Sequence, residues 1–468
     1  MKLKGKCVMS TLFDEMTNIE NGEVVTPKKK KKVITVNVIE DSSKLDEPKV
    51  DFVPPSFDIP LMDELRSMEG NGKEPSYFDS GTGSISYKTG IPQLDYYLGY
   101  RVNAYNNKNE IVKSYNAIGI GNGSIVTFIG KPSTSKTTTA VQIAGNIVRP
   151  FQNGSVIHFD LEQAMNYSRI QNLTRFSIPL IKAGKYVLRQ ELNSIGDIKK
   201  TIMKLYLTKT QNPDKYKYNS HELNEFGEEI ITYEPSVVII DSIASLSSGL
   251  EEGSKKDIAR LEEIGSQTEK MRVTAEIGRF FTEILPYLKK ANIILICINQ
   301  IKTKPQLGFL PQPADLLYLN QDESLPGGRA PAYYASVMLK FIAVGSEKYN
   351  EEDDGFDGFG VKAMVIKSRG NQAGRFVSLI YDKVRGIDSL RTSIKFAKDS
   401  GLTGGNKNAF YFLSDKDEKF SLRHVHADFK ERRHLYKIMF ENIIPLLESK
   451  LSMLQPDELD VLDEEMDY

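Results

Sequence analysis

Ile125-Val-Thr-Phe-Ile-Gly-Lys-Pro-Ser-Thr-Ser-Lys-Thr-Thr-Thr139 decides the fold. Ile125 to Ile129 is a short apolar run rich in β-branched residues, the pattern of a parallel strand buried on both faces. The run breaks at Gly130. Lys136-Thr137 then opens a helix whose apolar positions are Ala140, Val141, Ile143, Ala144 and Ile147. Strand, loop, Lys-Thr and helix are the parts of a phosphate-binding loop made of Gly130, Lys131, Pro132, Ser133, Thr134, Ser135, Lys136, Thr137 and Thr138. In such a loop successive backbone N–H groups form an anion nest and the helix N-terminus adds partial positive charge. The lysine reaches the β- and γ-phosphates of ATP, and the Thr137 hydroxyl takes one place on Mg2+. Ser135 stands where the G-x-x-x-x-G-K-[ST] pattern has its second glycine. Serine is small enough for that place but resists a positive φ more than glycine does. The competing reading of the stretch is a strand-turn-helix with a chance lysine.

Working outward, Thr89-Gly-Ile-Pro-Gln-Leu-Asp-Tyr-Tyr-Leu-Gly99 opens the globular part, and a polar insertion (100–122) separates it from the loop. Ser155-Val-Ile-His-Phe159 is the next strand and ends in Asp160-Leu-Glu162. After a helical stretch and a charged insertion (208–234), Ser236-Val-Val-Ile-Ile-Asp-Ser242 delivers Asp241 to the C-terminal edge of a buried strand. Open α/β sheets bind ligands at that edge. A helix is expected over 259–290, then a buried strand with a polar tip, Asn292-Ile-Ile-Leu-Ile-Cys-Ile-Asn-Gln300. Residues 303–330 read as a long loop with four prolines and three glycines, a length that is usually functional or disordered. Further strands fall at 335–343, 361–367 and 376–381, with an acidic connection at 347–359. Past Gly386 a small α+β segment carries Phe410-Tyr-Phe412 and a helix over 431–451. Strands alternating with helices predict an α/β fold with a mostly parallel sheet and helices on both faces.

A chain of 468 residues, 40% of them apolar, has room for two or three domains. No apolar stretch is long enough to span a bilayer and no signal peptide opens the chain, so no membrane partner is expected. Cys7 and Cys297 are the only cysteines, which gives no disulfide framework or zinc site and points to an intracellular protein. The net charge of −1 excludes a uniformly basic nucleic-acid binder but not a locally basic one. Lys28 to Lys32 is a run of five lysines, readable as a solvated tail or as a nuclear import signal, and seven acidic residues follow Gln455 with no basic one. Val33-Ile-Thr-Val-Asn-Val-Ile39 alternates like a strand. The expected organisation is a flexible basic arm (1–56), a short helix with Leu61, Met62, Leu65 and Met68 plus a linker (57–88), an ATPase core (89–386), a small α+β domain (387–455) and an acidic tail (456–468).

An ATPase needs a phosphate cradle, a metal anchor, a base that orients water and a sensor of the γ-phosphate. Lys136 and Thr137 supply the first two, and Asp241 holds Mg2+ directly or through water. Glu162, just beyond its strand, is the candidate general base, against the plain reading of a surface charge. Gln300 is the candidate sensor, because an amide can bond the γ-phosphate and lose that bond after hydrolysis; the plain reading is a strand-end cap. Two segments carry cations suited to a phosphate backbone: one with Lys255, Lys256, Arg260, Lys270 and Arg272, the other with Lys302, Lys304 and Arg329.

Beyond the loop, Phe159-Asp-Leu-Glu162, Ile240-Asp-Ser-Ile-Ala-Ser-Leu246, Ile298-Asn-Gln-Ile-Lys302 and Gly327-Gly…Tyr334-Ala-Ser-Val337 together form a specific pattern. With these motifs the sequence resembles the RecA recombinases, including phage relatives of the UvsX type, over about 76–451. The resemblance implies a RecA-type core with a C-terminal domain, and a helical homo-oligomeric filament on single-stranded DNA that pairs with double-stranded DNA. ATP is then bound between neighbouring subunits in the presence of Mg2+. It places the two DNA-binding loops at 249–276 and 303–330. It also places two cations that reach the neighbour's γ-phosphate at Lys367 and Arg369. Mediator and single-strand-binding proteins are further implied partners, in a bacterial cytoplasm or a phage-infected host cell. Ser135, the two insertions and the long N-terminal arm depart from the family pattern. A hexameric helicase uses the same ATPase fold, but the Gly-Gly…Tyr-Ala-Ser pattern and the lack of a separate N-terminal helical domain speak against it. A non-catalytic recombination mediator is opposed by the complete set Lys136, Thr137, Glu162, Asp241 and Gln300.

Overall fold

The computed structural model describes residues 85–106, 108, 110–191, 194–247, 267–303, 319–349, 356–406, 409–421 and 429–451. The lysine run, the alternating stretch after it, the helix around Leu61, Lys255, Lys256, Arg260, Lys304 and the acidic tail lie outside these residues, as does the side chain of Lys270.

Helix α1 (Pro92–Leu98) begins on a proline, whose missing N–H would have had no partner there. A hairpin follows, β1 (Tyr100–Tyr105) with β2 (Ile111–Ala117). Strand β3 (Ile125–Gly130) leads into α2 (Lys136–Val148), and β4 (Ser155–Asp160) into α3 (Tyr167–Thr174). Next come β5 (Tyr186–Arg189) and α4 (Ile195–Gln211), whose N-cap Ser194 accepts from the Asp197 N–H. A second hairpin, β6 (Lys217–Leu223) with β7 (Glu229–Tyr233), precedes β8 (Ser236–Asp241). Helix α5 (Gln267–Lys290), β9 (Ile293–Gln300), α6 (Ala330–Tyr334) and β10 (Val337–Tyr349) continue the chain. Strands β11 (Gly358–Ser368), β12 (Phe376–Asp382) and β13 (Gly386–Ile387) follow. Helix α7 (Ser389–Asp399), a meander of β14 (Thr403–Asn406), β15 (Ala409–Phe412) and β16 (Asp415–Phe420), and α8 (Phe429–Glu448) complete the described chain.

Nine strands form one sheet in the order β13-β12-β11-β10-β3-β9-β8-β4-β5. From β10 to β5 neighbouring strands are parallel, and from β10 to β13 they are antiparallel. All six residues of β3 are buried, and strand alternation sends them to opposite faces. Val126 and Phe128 join α2 residues Val141, Ala144 and Ile147 in one apolar cluster, while Ile125 joins α4 and α5 residues such as Ile198 and Ile284 in another. Helices therefore cover both faces, as the alternating pattern predicts. Leu390, Phe412, Leu435 and Ile443 belong to the same cluster as Phe128, and α7 and α8 both pack on α1. The C-terminal α+β elements thus share the apolar core of the sheet.

The two insertions of the sequence are the two hairpins, and they interlock. The Tyr105 N–H donates to the Glu225 carbonyl (3.1 Å), the Tyr115 hydroxyl to the Leu223 carbonyl (3.1 Å), and Lys113 pairs with Glu222 (2.6 Å). At the foot of the second hairpin, the buried Lys209 amine donates to the carbonyls of Glu234 (2.7 Å) and Ala291 (2.9 Å), and burial lowers its pKa to about 7. No described helix is long and apolar enough to cross a membrane.

Candidate functional site at the carboxyl edge of the sheet

Because β3, β9, β8 and β4 run parallel, they end at one edge. Gly130 lies opposite Gln300, and Asp241 lies opposite both Ile298 and Asp160. The chain turns tightly as it leaves β3. A Cβ on Gly130 would stand 2.7 Å from the Phe341 carbonyl oxygen and 2.8 Å from Thr134 Oγ1, so no side chain fits. Ser133 and Ser135 both take the left-handed conformation, with φ of 61° and 59°. Ser135 therefore adopts the backbone that the pattern's glycine would have supplied, against its own preference.

Lys136 folds back over this loop, its Nζ donating to the carbonyls of Lys131 (2.8 Å) and Gly130 (3.1 Å). Burial pulls its pKa down, and the nearby charges of Asp241 and Glu162 oppose that shift. At the next residue, Thr137 Oγ1 donates to Asp241 Oδ2 at 2.6 Å. A hydroxyl beside a carboxylate is a hard-oxygen pair of the kind Mg2+ takes. His158, Asp160 and Asp241, all buried, offer donor atoms within 4.8 Å of one another. The Asp160 carboxylate is already engaged: it accepts from the N–H groups of Ala164 (3.2 Å) and Met165 (2.9 Å) and from Gln190 Nε2 (2.8 Å). These bonds fix the turn that presents Glu162.

Glu162 Oε1 accepts from Gln300 Nε2 and from Ser242 Oγ, both at 2.8 Å. The candidate base and the candidate sensor are thus in direct contact. Asn299 Nδ2 donates to the Pro326 carbonyl (2.9 Å), tying the tip of β9 to Gly327 and Gly328, whose φ values of 79° and 71° suit glycine. The foot of the long loop is zipped by pairing of Lys302 with Ser324 and of Thr303 with Glu323.

Lys367 and Arg369 lie elsewhere. Lys367 pairs with Met338, which is level with Thr127, and the Arg369 N–H donates to the Ser336 carbonyl (3.0 Å) beside the start of β3. At a strand's rise per residue Thr127 is about 10 Å from Gly130, and the Arg369 level beside Ile125 is about 17 Å from it. Lys367 Nζ donates to the Ala332 and Tyr333 carbonyls (2.8 Å each) at the end of α6. Burial and then the charge of Arg369 lower the pKa of Lys367, and the same two causes lower that of Lys289. Lys289, at the end of α5, is therefore a third cation at this edge, one that sequence reasoning passed over.

Of the cations expected at nucleic acid, Arg272 sits half-buried on α5, while Lys302 and Arg329 are exposed. Cβ atoms on Gly327 and Gly328 would meet Ile277 and Thr274 of α5, so the segment leading to Arg329 lies across the helix that carries Arg272. Sequence reasoning also gave no role to Ser242, His158 or Tyr186. The signal for His158 was a polar residue inside a strand otherwise filled with apolar ones.

Open α/β sheets bind ligands at their carboxyl edge, and in this mixed sheet a tight loop, a helix and polar strand tips converge there. No family model matches the chain. It is 26% identical to the RecA protein of Legionella pneumophila over 257 residues, 54% of this chain and 58% of that protein. It is 23% identical to the RecA protein of Mycoplasma mobile over 214 residues, 45% of this chain and 57% of that one. A match to the RecA protein of Chlamydia abortus, also 23% identical, runs over 345 residues, 72% of this chain and 82% of the relative. The chain thus spans less than two thirds of the length of the first two relatives. These similarities support the RecA family, and the largely parallel central sheet is consistent with a RecA-like core.

Proposed function

We propose that the chain is a DNA-dependent ATPase that assembles as a helical filament on single-stranded DNA and promotes homologous pairing and strand exchange with duplex DNA. The observation that carries this reading is the division of the site. The loop, Glu162 and Gln300 gather at the carboxyl edge, whereas Lys367 stands level with the middle of β3 and Arg369 with its start. Cations so placed serve a neighbour's nucleotide, not their own.

In this reading the loop N–H groups and Lys136 hold the phosphates of ATP, Glu162 aligns a water and takes its proton, and Gln300 senses the γ-phosphate. The Thr137 hydroxyl and the Asp241 carboxylate fit Mg2+ by donor type and by their 2.6 Å contact. When bound, the ion offsets phosphate charge. Arg272, Lys302 and Arg329, with Lys255, Lys256, Arg260, Lys270 and Lys304, contact the DNA backbone. The UvsX-like subtype, loading by mediator and single-strand-binding proteins, and work in a bacterial or phage-infected cytoplasm belong to the same proposal.

Electron microscopy of the full chain with single-stranded DNA and ATP tests it. Extended helical filaments support the reading. Closed rings would replace it with a helicase, and absence of any assembly, together with absence of hydrolysis, would replace it with a mediator.

A further inference from the structure

His158 stands on β4 beneath Asp241, fully buried. Its Nδ1 lies 2.9 Å from the Tyr186 hydroxyl. Tyr186 is itself buried, and among the described residues its hydroxyl has no other hydrogen-bond partner. Burial, followed by the charges of Asp241 and Asp160, holds the phenol's pKa well above the usual tyrosine value, so it keeps its proton. A buried hydroxyl that must donate makes Nδ1 the acceptor, which leaves the imidazole hydrogen on Nε2. Nε2 has no hydrogen-bond partner, and Asp241 Oδ2 is 3.9 Å away, too far for a bond. That oxygen is the one held by Thr137.

We infer that His158 is a positioning residue for Asp241: its Nε2–H closes onto Asp241 Oδ2 when the site is filled, fixing which carboxylate oxygen faces the divalent ion. The inference rests on the proposed nucleotide site. A small rotation of the Asp241 carboxylate brings Oδ2 between the imidazole N–H and the Thr137 hydroxyl, and the second oxygen then points outward. It also satisfies a buried donor that is otherwise open, which is costly in a dry interior. A metal held by His158, Asp160 and Asp241 fits less well. Asp160 already accepts three hydrogen bonds, and the tautomer set by Tyr186 puts a proton on the nitrogen such an ion would need.

The test is binding of a fluorescent ATP analogue to the full chain, titrated with Mg2+ and free of any need for hydrolysis. His158→Phe should raise the Mg2+ concentration for half-saturation about tenfold, the scale of a lost partner behind a metal ligand, while binding without Mg2+ stays unchanged. Thermal stability should fall modestly, because the buried Tyr186 hydroxyl loses its acceptor, and that loss is independent of Mg2+. His158→Gln, which keeps an N–H donor, should recover part of the shift. A folded His158→Phe protein whose Mg2+ curve overlays the wild type overturns the inference. Equal losses with and without Mg2+ overturn it too, by making His158 merely structural. If His158→Phe does not fold, Tyr186→Phe decides, since it frees the tautomer: a curve displaced to higher Mg2+ supports the inference and an unmoved curve overturns it. Wild-type nucleotide binding indifferent to Mg2+ would instead defeat the nucleotide site, and this inference with it.

Discussion

The Gln300 side-chain amide donates to Glu162 Oε1 at 2.8 Å, across 138 residues of sequence. The two strands that carry these residues, β9 and β4, flank β8 in the sheet, so the bond spans the mouth of the site beside Asp241. Ser242 adds a second donor to the same oxygen. A carboxylate with one oxygen doubly held has its other oxygen left to address water.

Glu162→Gln should therefore leave nucleotide binding intact, since Lys136 and the loop are untouched, and lower DNA-stimulated hydrolysis by about 10²–10⁴-fold, the usual contribution of a general base. Steady-state hydrolysis beside an equilibrium binding measurement checks it. Turnover equal to the wild type would remove Glu162 from the reaction.

Ser135→Gly addresses the loop itself. Ser135 sits at φ 59°, ψ 24° immediately before α2. Relief of a left-handed serine, less the extra chain entropy of glycine, should raise unfolding free energy by about 0.5–1 kcal/mol. Urea midpoints at equal m-value report the change, and a drop in midpoint contradicts the assignment of strain to this residue.

Much of this arrangement was legible in the sequence because it lies in buried strands and their tips. The Val237–Ile240 run and the Ile293–Ile298 run can only be central strands, and each delivers a polar residue at its end. The contacts between those tips were not legible. Spacing places Glu162 and Gln300 after their strands, but strand order in the sheet is what makes them neighbours. The insertions were harder still: only short alternations such as Val102 and Ala104 face inward, and the packing of the hairpins depends on pairs such as Lys113 with Glu222 that no local pattern reveals. Lys289 reads as the exposed end of an amphipathic helix, and only its proximity to Arg369 gives it a place beside the other cations.

Asp95 supplies a pH dependence. Its buried carboxyl accepts from the Thr89 N–H and hydroxyl, both at 2.6 Å, yet burial raises its pKa from 3.8 to about 7. Between those values the folded chain binds a proton that the unfolded chain has released, so this group's contribution to stability falls as pH rises from 4 to 7. Asp95→Asn keeps an oxygen acceptor and has no proton to lose. The stability difference between wild type and variant should shift toward the variant as pH rises through that window. A difference constant from pH 4 to pH 7 would show that Asp95 ionises in the folded state as freely as in the unfolded one.

The separation of Lys367 and Arg369 from the loop along β3 gives the last test. If a complete site takes the loop from one subunit and Lys367 with Arg369 from the next, Lys367→Ala and Lys136→Ala should each bring hydrolysis close to zero alone. Their defects fall on different halves. An interface built from the loop of a Lys367→Ala subunit and the cations of a Lys136→Ala subunit lacks nothing. Random mixing in equal amounts should create such interfaces at about a quarter of positions in a head-to-tail assembly, the remainder missing one half or both. Hydrolysis should then reappear on mixing, peak near equal amounts and vanish in large excess of either protein. Arg369→Ala should behave like Lys367→Ala in the same mixtures. A site complete within one chain predicts the opposite, two inactive proteins that stay inactive at every ratio.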